Sequence, residues 1–219
     1  MRWIGATLLL GAWLLVSWHT AGAQPAKDSA TPGAAVEEAR IEGFRAAAFG
    51  MTEAQVRQAI RKDFPGLGEK ISSEVNAAEK TTVLGIVASD LIPGTGKGRV
   101  SYILGYATKK LIQVNINWTA EPKSPASAEG LIGAANLMRN YFLAGGYRPD
   151  SIVANHQLPN GYVVFRGLDA HAHMVMLVLS GTTAGAEQDK EKAAPVALQL
   201  SYILDPEHPD VYQVPKGTF

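Results

Sequence analysis

The clearest hydrophobic pattern in the chain is the alternation over residues 111–118. There Ile112, Val114, Ile116 and Trp118 are apolar, while Gln113, Asn115 and Asn117 between them are polar. Successive side chains of a β-strand point to opposite faces, so the pattern predicts a strand with one buried and one wet side, paired antiparallel. Residues 99–106 repeat the period, placing Val100, Tyr102, Leu104 and Tyr106 on one face, and 107–110 reads as the turn between the two. Residues 81–87 are rich in β-branched side chains and read as a third strand. Residues 67–80 are polar and carry no clear period.

Ahead of these strands the period changes to that of a helix. Thr52 followed by Gln55 makes a capping box, and Met51 stands where it can pack on Val56. Val56, Ala59, Ile60 and Phe64 then share a face, and Pro65-Gly66 ends the helix. A similar order follows. Ser124 and Pro125 read as a helix start, and Leu131, Ala134, Ala135, Met138, Tyr141 and Phe142 form an apolar stripe that Gly145-Gly146 stops. Three apolar runs come next: 162–165, 170–179 and 196–204, with a charged, alanine-rich loop at 181–194 before the last. The expected fold is therefore α+β. Two tandem units, 43–120 and 121–219, would each consist of a helix and a three-stranded antiparallel meander, with the helices packed on one side of the sheet.

The N-terminus sets the compartment. Arg2, an apolar run from Ile4 to Trp18 and then Ala21-Gly22-Ala23 make the three parts of a secretory signal peptide, 1–23. The run is shorter than the roughly 20 residues a membrane span needs. No transmembrane span is expected after cleavage, and the expected location is periplasmic or secreted. Residues 24–42 are mostly small, polar or charged and read as a flexible linker. The chain has no cysteine, so an exported form must be held by its apolar core, which suits a bacterial periplasm. Net charge is zero and no basic block interrupts it, which gives no support for a nucleic-acid partner.

Candidate chemistry is sparse. Leu91-Ile92-Pro93-Gly94-Thr95-Gly96-Lys97-Gly98 resembles a phosphate-binding loop, but Leu91 stands at the first glycine position and Gly98 where a magnesium-binding hydroxyl is needed. A strand follows it, so no helix dipole faces the loop. It reads as a turn, and no nucleotide is expected. Asp169, His171 and His173, if spaced along a strand, share a face and could hold a divalent metal; the alternative is a polar strand end at the sheet rim. Residues 205–210 cluster acids with His208 between two prolines and read as a stiff surface loop. No nucleophile elbow or zinc-protease helix occurs, so no enzyme activity and no cofactor are expected. Residues 174–179 are apolar on both faces. One face must lie under the helices and the other must be covered or used, which makes Val175, Leu177 and Leu179 candidate contact residues.

The phrase Phe49-Gly50-Met51-Thr52-Glu53-Ala54-Gln55-Val56, followed by a helix and a meander, resembles bacterial envelope domains of the β-lactamase-inhibitor-protein-like class. It is also similar to the small lipoproteins of outer-membrane assembly, whose first helix opens on a similar motif, although this chain lacks the lipoprotein cysteine. The resemblance implies binding of protein partners through a sheet face or loops. The expected function is thus non-catalytic binding of a protein or envelope component. Two alternatives are a metal-dependent enzyme or metal carrier using His171 and His173, and an inhibitor of a secreted hydrolase using the 94–98 or 181–194 loop.

Overall fold

The computed structural model describes residues 37–89, 91–121, 127–181, 196–215 and 217–218. The signal peptide expected at 1–23, residues 24–36 of the expected linker, the helix start expected at Ser124 and Pro125, and 182–194 of the expected loop lie outside these residues.

In chain order the elements are β1 (Gly43–Phe44), β2 (Ala47–Ala48), α1 (Glu53–Asp63), β3 (Ser72–Val75), β4 (Thr82–Ser89), β5 (Lys97–Leu104) and β6 (Leu111–Thr119). There follow α2 (Ala128–Leu143), β7 (Val153–Leu158), β8 (Gly161–Leu168), β9 (Met174–Ser180) and β10 (Ala197–Ile203). β1 and β2 form a small hairpin. The other eight strands make one antiparallel sheet in the order β3-β4-β5-β6-β10-β9-β8-β7. Among the described residues no helix is long and apolar enough to cross a membrane.

The chain is α+β, but the expected pair of tandem helix-plus-three-strand units is overturned by this sheet. It runs without a break across β6 and β10, and it contains two strands, β3 and β7, that the hydrophobic pattern did not give. Both are rim strands. All four residues of β3 and the middle four of β7 are exposed. A strand with one neighbour and no buried face needs no apolar period, so none is written in its sequence.

α1 begins as its sequence requires. The Thr52 backbone N–H donates to Gln55 Oε1 at 2.9 Å, and the Gln55 N–H returns to Thr52 Oγ1 at 3.5 Å. Such a cap contributes about 1 kcal/mol. Val56, Ala59 and Ile60 are buried, and Phe64 closes the helix with its N–H on the Ile60 carbonyl. α2 is capped by Ser127, whose Oγ accepts from the Gly130 N–H at 3.1 Å. It buries Leu131, Ala134, Ala135, Met138 and Phe142.

One face of the sheet supplies the rest of the core. Leu84 and Ile86 of β4, Val100 and Tyr102 of β5, Val114, Ile116 and Trp118 of β6, Leu198 and Leu200 of β10, and Val175 and Leu177 of β9 are all buried. They form a single apolar cluster with the buried residues of both helices. A bulge between β5 and β6, where Leu104 pairs with Leu111, puts Leu111 into the core and leaves Ile112 half-buried.

Residues 91–96 form the turn between β4 and β5, and Lys97 and Gly98 already belong to β5. Gly98 is there for space. Trp118 lies over it, and a Cβ at this position would stand 2.7 Å from the indole Nε1 and 3.1 Å from Leu91 Cδ1. Gly98→Ala should therefore overpack the core and cost about 2 kcal/mol. Urea unfolding checks this: the midpoint falls while the slope is retained.

Candidate functional site

The side chains of β9 divide between two environments. Val175, Leu177 and Leu179 are 0%, 0% and 7% exposed, whereas Met174, Met176 and Val178 are half-buried on the opposite side. Val175, Leu177 and Leu179, expected to be contact residues, instead stand opposite Tyr202, Leu200 and Leu198 of β10 inside the core cluster. A six-residue run that is apolar on both faces gives no sign of which face turns outward, and the packing of α2 on β8, β9 and β10 decides it. The side left open is that of Met174, Met176 and Val178.

The registers lay out this second face in rows. The middle row runs Ser101, Asn115, Ser201, Met176, Arg166 and Val153 across β5, β6, β10, β9, β8 and β7. On one side of it lie Arg99, Asn117, Gln199, Val178, Val163 and His156, and on the other Ile103, Gln113, Ile203, Met174 and Leu168. Two zones result. Over β6 and β10 there is a band of amides and hydroxyls, ordered by Gln113 Nε2 donating to Asn115 Oδ1 at 2.8 Å and Gln199 Nε2 donating to Ser201 Oγ at 3.0 Å. Over β8 and β9 there is an apolar group: Met174, Met176, Val178, Val163 and Leu168. None of these five belongs to the core cluster or packs against it.

Arg166 projects into the middle of that group. Its Nε is buried and has no hydrogen-bond partner among the described residues, and none of their carboxylates pairs with it. A buried Nε–H without an acceptor costs stability, and an arriving carboxylate would supply one. Elsewhere on this face Lys97 and Arg99 are basic, and the acid Glu74 already holds Arg99 at 3.0 Å. The field over the face therefore favours an anion. Sequence reasoning missed Arg166, although a lone arginine between Phe165 and Gly167 in an apolar strand was the available signal.

Asp169, His171 and His173 do not lie along a strand. β9 begins only at Met174, and 169–173 is the tight connection from β8, with Ala172 at φ 64°. Asp169 is 1% exposed, and its carboxylate is fully engaged. Oδ1 accepts from the His171 and His173 backbone N–H groups at 2.8 and 2.9 Å, and Oδ2 accepts from the Ile41 N–H at 2.9 Å. His173 Nδ1 lies 2.8 Å from the Ile41 carbonyl oxygen and 3.3 Å from Asp169 Oδ2. The constellation is thus a clamp that closes the β8–β9 connection and fastens the strand of chain at 38–41. Glu38 also bridges Gly146, so this end of the expected linker is fixed. Among the described residues no group of three or more His, Asp or Glu is arranged to hold a metal ion.

The 205–210 segment is likewise structural. Asp205 Oδ1 accepts from the Glu207 and His208 N–H groups. Asp210 accepts from the Ala107 and Thr108 N–H groups at 2.8 and 2.9 Å and from the Thr108 hydroxyl, which ties the C-terminal segment to the β5–β6 turn. Burial alone would raise the Asp210 carboxyl, but these hydrogen bonds and the Lys109 charge hold it below the usual carboxylate range.

No family model, no curated protein and no solved structure matches the chain.

Asp169→Ala removes the acceptor of three backbone N–H groups and should destabilise the fold by about 3 kcal/mol. His171→Ala, at an exposed side chain, should change it by less than about 0.5 kcal/mol. Thermal unfolding of the two variants checks the difference; equal losses would point to a joint role for the pair instead.

Proposed function

We propose that this protein is an exported, non-catalytic binding protein of the bacterial envelope that docks a protein partner on the open face of its sheet. One observation carries the reading. Met174, Met176, Val178, Val163 and Leu168 stand together outside the core, and among them is Arg166, whose buried Nε has no hydrogen-bond partner among the described residues. A monomer gains nothing from this arrangement. An interface does, because large apolar contacts around one desolvated, charge-paired arginine are the usual composition of a binding hot spot. The amide band beside it supplies hydrogen-bonding groups fixed by their neighbours, suited to orient a partner more than to drive its binding.

Two further points support the reading. The residues 49–56 resemble the opening of envelope domains that bind proteins through a sheet face or loops. The N-terminal pattern fits export to the periplasm or outside the cell. The reading also defines the chemistry of the partner: an apolar patch with a carboxylate positioned to meet Arg166.

The test is a pull-down from envelope extract with three baits: the unaltered protein, a Met176→Glu/Val178→Glu double variant, and a Leu137→Glu control. Leu137 lies on α2 and is 63% exposed, away from the face in question. The unaltered protein and the control should recover the same partner. The double variant should lose it while keeping its melting temperature, an affinity loss of roughly 30-fold or more. Recovery of the same partners by all three baits would contradict the reading.

A further inference from the structure

A pocket of about 190 Å³ opens on the core side of the sheet, opposite the proposed docking face. Its floor includes Trp118 of β6 and Tyr202 of β10, its one wall Phe44 and Arg45 of the β1–β2 hairpin, and its other wall Met138 and Tyr141 of α2. The hairpin and α2 leave the middle of the sheet uncovered between them, and the pocket is that gap.

Three features separate it from a packing defect. The first is Trp118, which is 1% exposed, yet its buried Nε1 has no hydrogen-bond partner among the described residues. Buried indole N–H groups almost always find an acceptor, and one left without it weakens the fold. Leu91, which also lines the pocket, lies beside this nitrogen over Gly98. The second is Arg45. Its backbone sits at φ 55°, and its exposed guanidinium is held over the rings of Phe44 and Phe64 at 5.3 and 4.8 Å. No carboxylate among the described residues pairs with it. Asp63 of α1 accepts instead from the Ala46 N–H at 2.9 Å. The third is Tyr141 at the mouth, which is 74% exposed although it carries a large aromatic ring.

We infer that this pocket is a binding site for a small aromatic carboxylate, with the ring seated against Tyr202 and Tyr141, above the covered Trp118, and the carboxylate at Arg45. The volume fits a single ring; a buried apolar cavity of about 150 Å³ suffices for benzene. Aromatic walls and the Met138 sulfur favour a flat π-system over a branched aliphatic group. Phe44 and Tyr202 already stack at 6.0 Å between centroids, which continues the ring-on-ring packing into the pocket. Burial pushes the Tyr202 hydroxyl up to about 12, so it stays a neutral donor at physiological pH and adds no repelling charge. The site lies on the covered side of the sheet and is independent of docking on the open side.

The test is calorimetric titration of the full chain with phenylacetate, acetate and benzyl alcohol, together with the NMR signal of the Trp118 indole N–H. Phenylacetate should bind with a dissociation constant on the order of 10⁻⁴ M and shift the indole signal. Acetate should not bind, and benzyl alcohol should bind about tenfold more weakly, having lost the charge-assisted contact. Arg45→Gln should weaken phenylacetate about tenfold and leave benzyl alcohol unchanged. Tyr141→Ala, at an exposed position that the fold does not need, should weaken both. No binding of phenylacetate, or binding that survives Arg45→Gln and Tyr141→Ala undiminished, would overturn the inference.

Discussion

The structure depends on the antiparallel pairing of β6 with β10 in the middle of the sheet. Leu198 stands opposite Trp118, Leu200 opposite Ile116 and Tyr202 opposite Val114, and this register puts large apolar side chains from strands far apart in sequence on one face. The alternate pairs, Gln199 with Asn117 and Ser201 with Asn115, are thereby sent to the other. A slip of one residue would exchange the two sets, burying amides and exposing Trp118. The register thus fixes at once where the helices can pack, where the core lies and which face remains open.

Much of this was legible in the sequence where burial is one-sided. The alternation of 111–118 and 99–106 located β6 and β5, because each has a core face and a polar face, although β5 ends at Leu104 and Tyr106 lies exposed beyond it. The Thr52–Gln55 cap marked the start of α1 because it must satisfy backbone N–H groups that no helix can satisfy itself. What failed had equally definite causes. β3 and β7 sit at the rims and bury no face. Residues 174–179 are apolar on both sides, so their orientation is decided by α2 and not by their own pattern. Asp169, His171 and His173 have the spacing of ligands on a strand, but Ala172 takes a left-handed backbone and turns the chain there. Their use, holding Ile41 in place, depends on a contact 128 residues away in the chain, which no local spacing reveals.

The two candidate sites share a physical origin. Each consists of apolar surface that the fold covers only in part, combined with a polar group that has no partner among the described residues. On the open face that group is Arg166 among methionines and valines, and the proposed occupant of this half-buried zone is a macromolecule. On the core side it is the Trp118 indole and the Arg45 guanidinium around a space the size of one ring, which suits a small molecule. A glycine at 98 makes room for Trp118, so the segment that imitates a phosphate loop serves the packing of the core through shape alone.

The central claim, that the sheet has one covered and one open face with the boundary running between adjacent residues of β9, has a direct test. The chain has no cysteine, so single Met176→Cys and Leu177→Cys variants each report one position. Their reaction rates with a maleimide reagent, measured in the folded protein, should differ by orders of magnitude. Cysteine at 176 should react from the folded state, slowed by its half-burial, and cysteine at 177 only through global unfolding. Equal rates, or faster reaction at 177, would contradict the account.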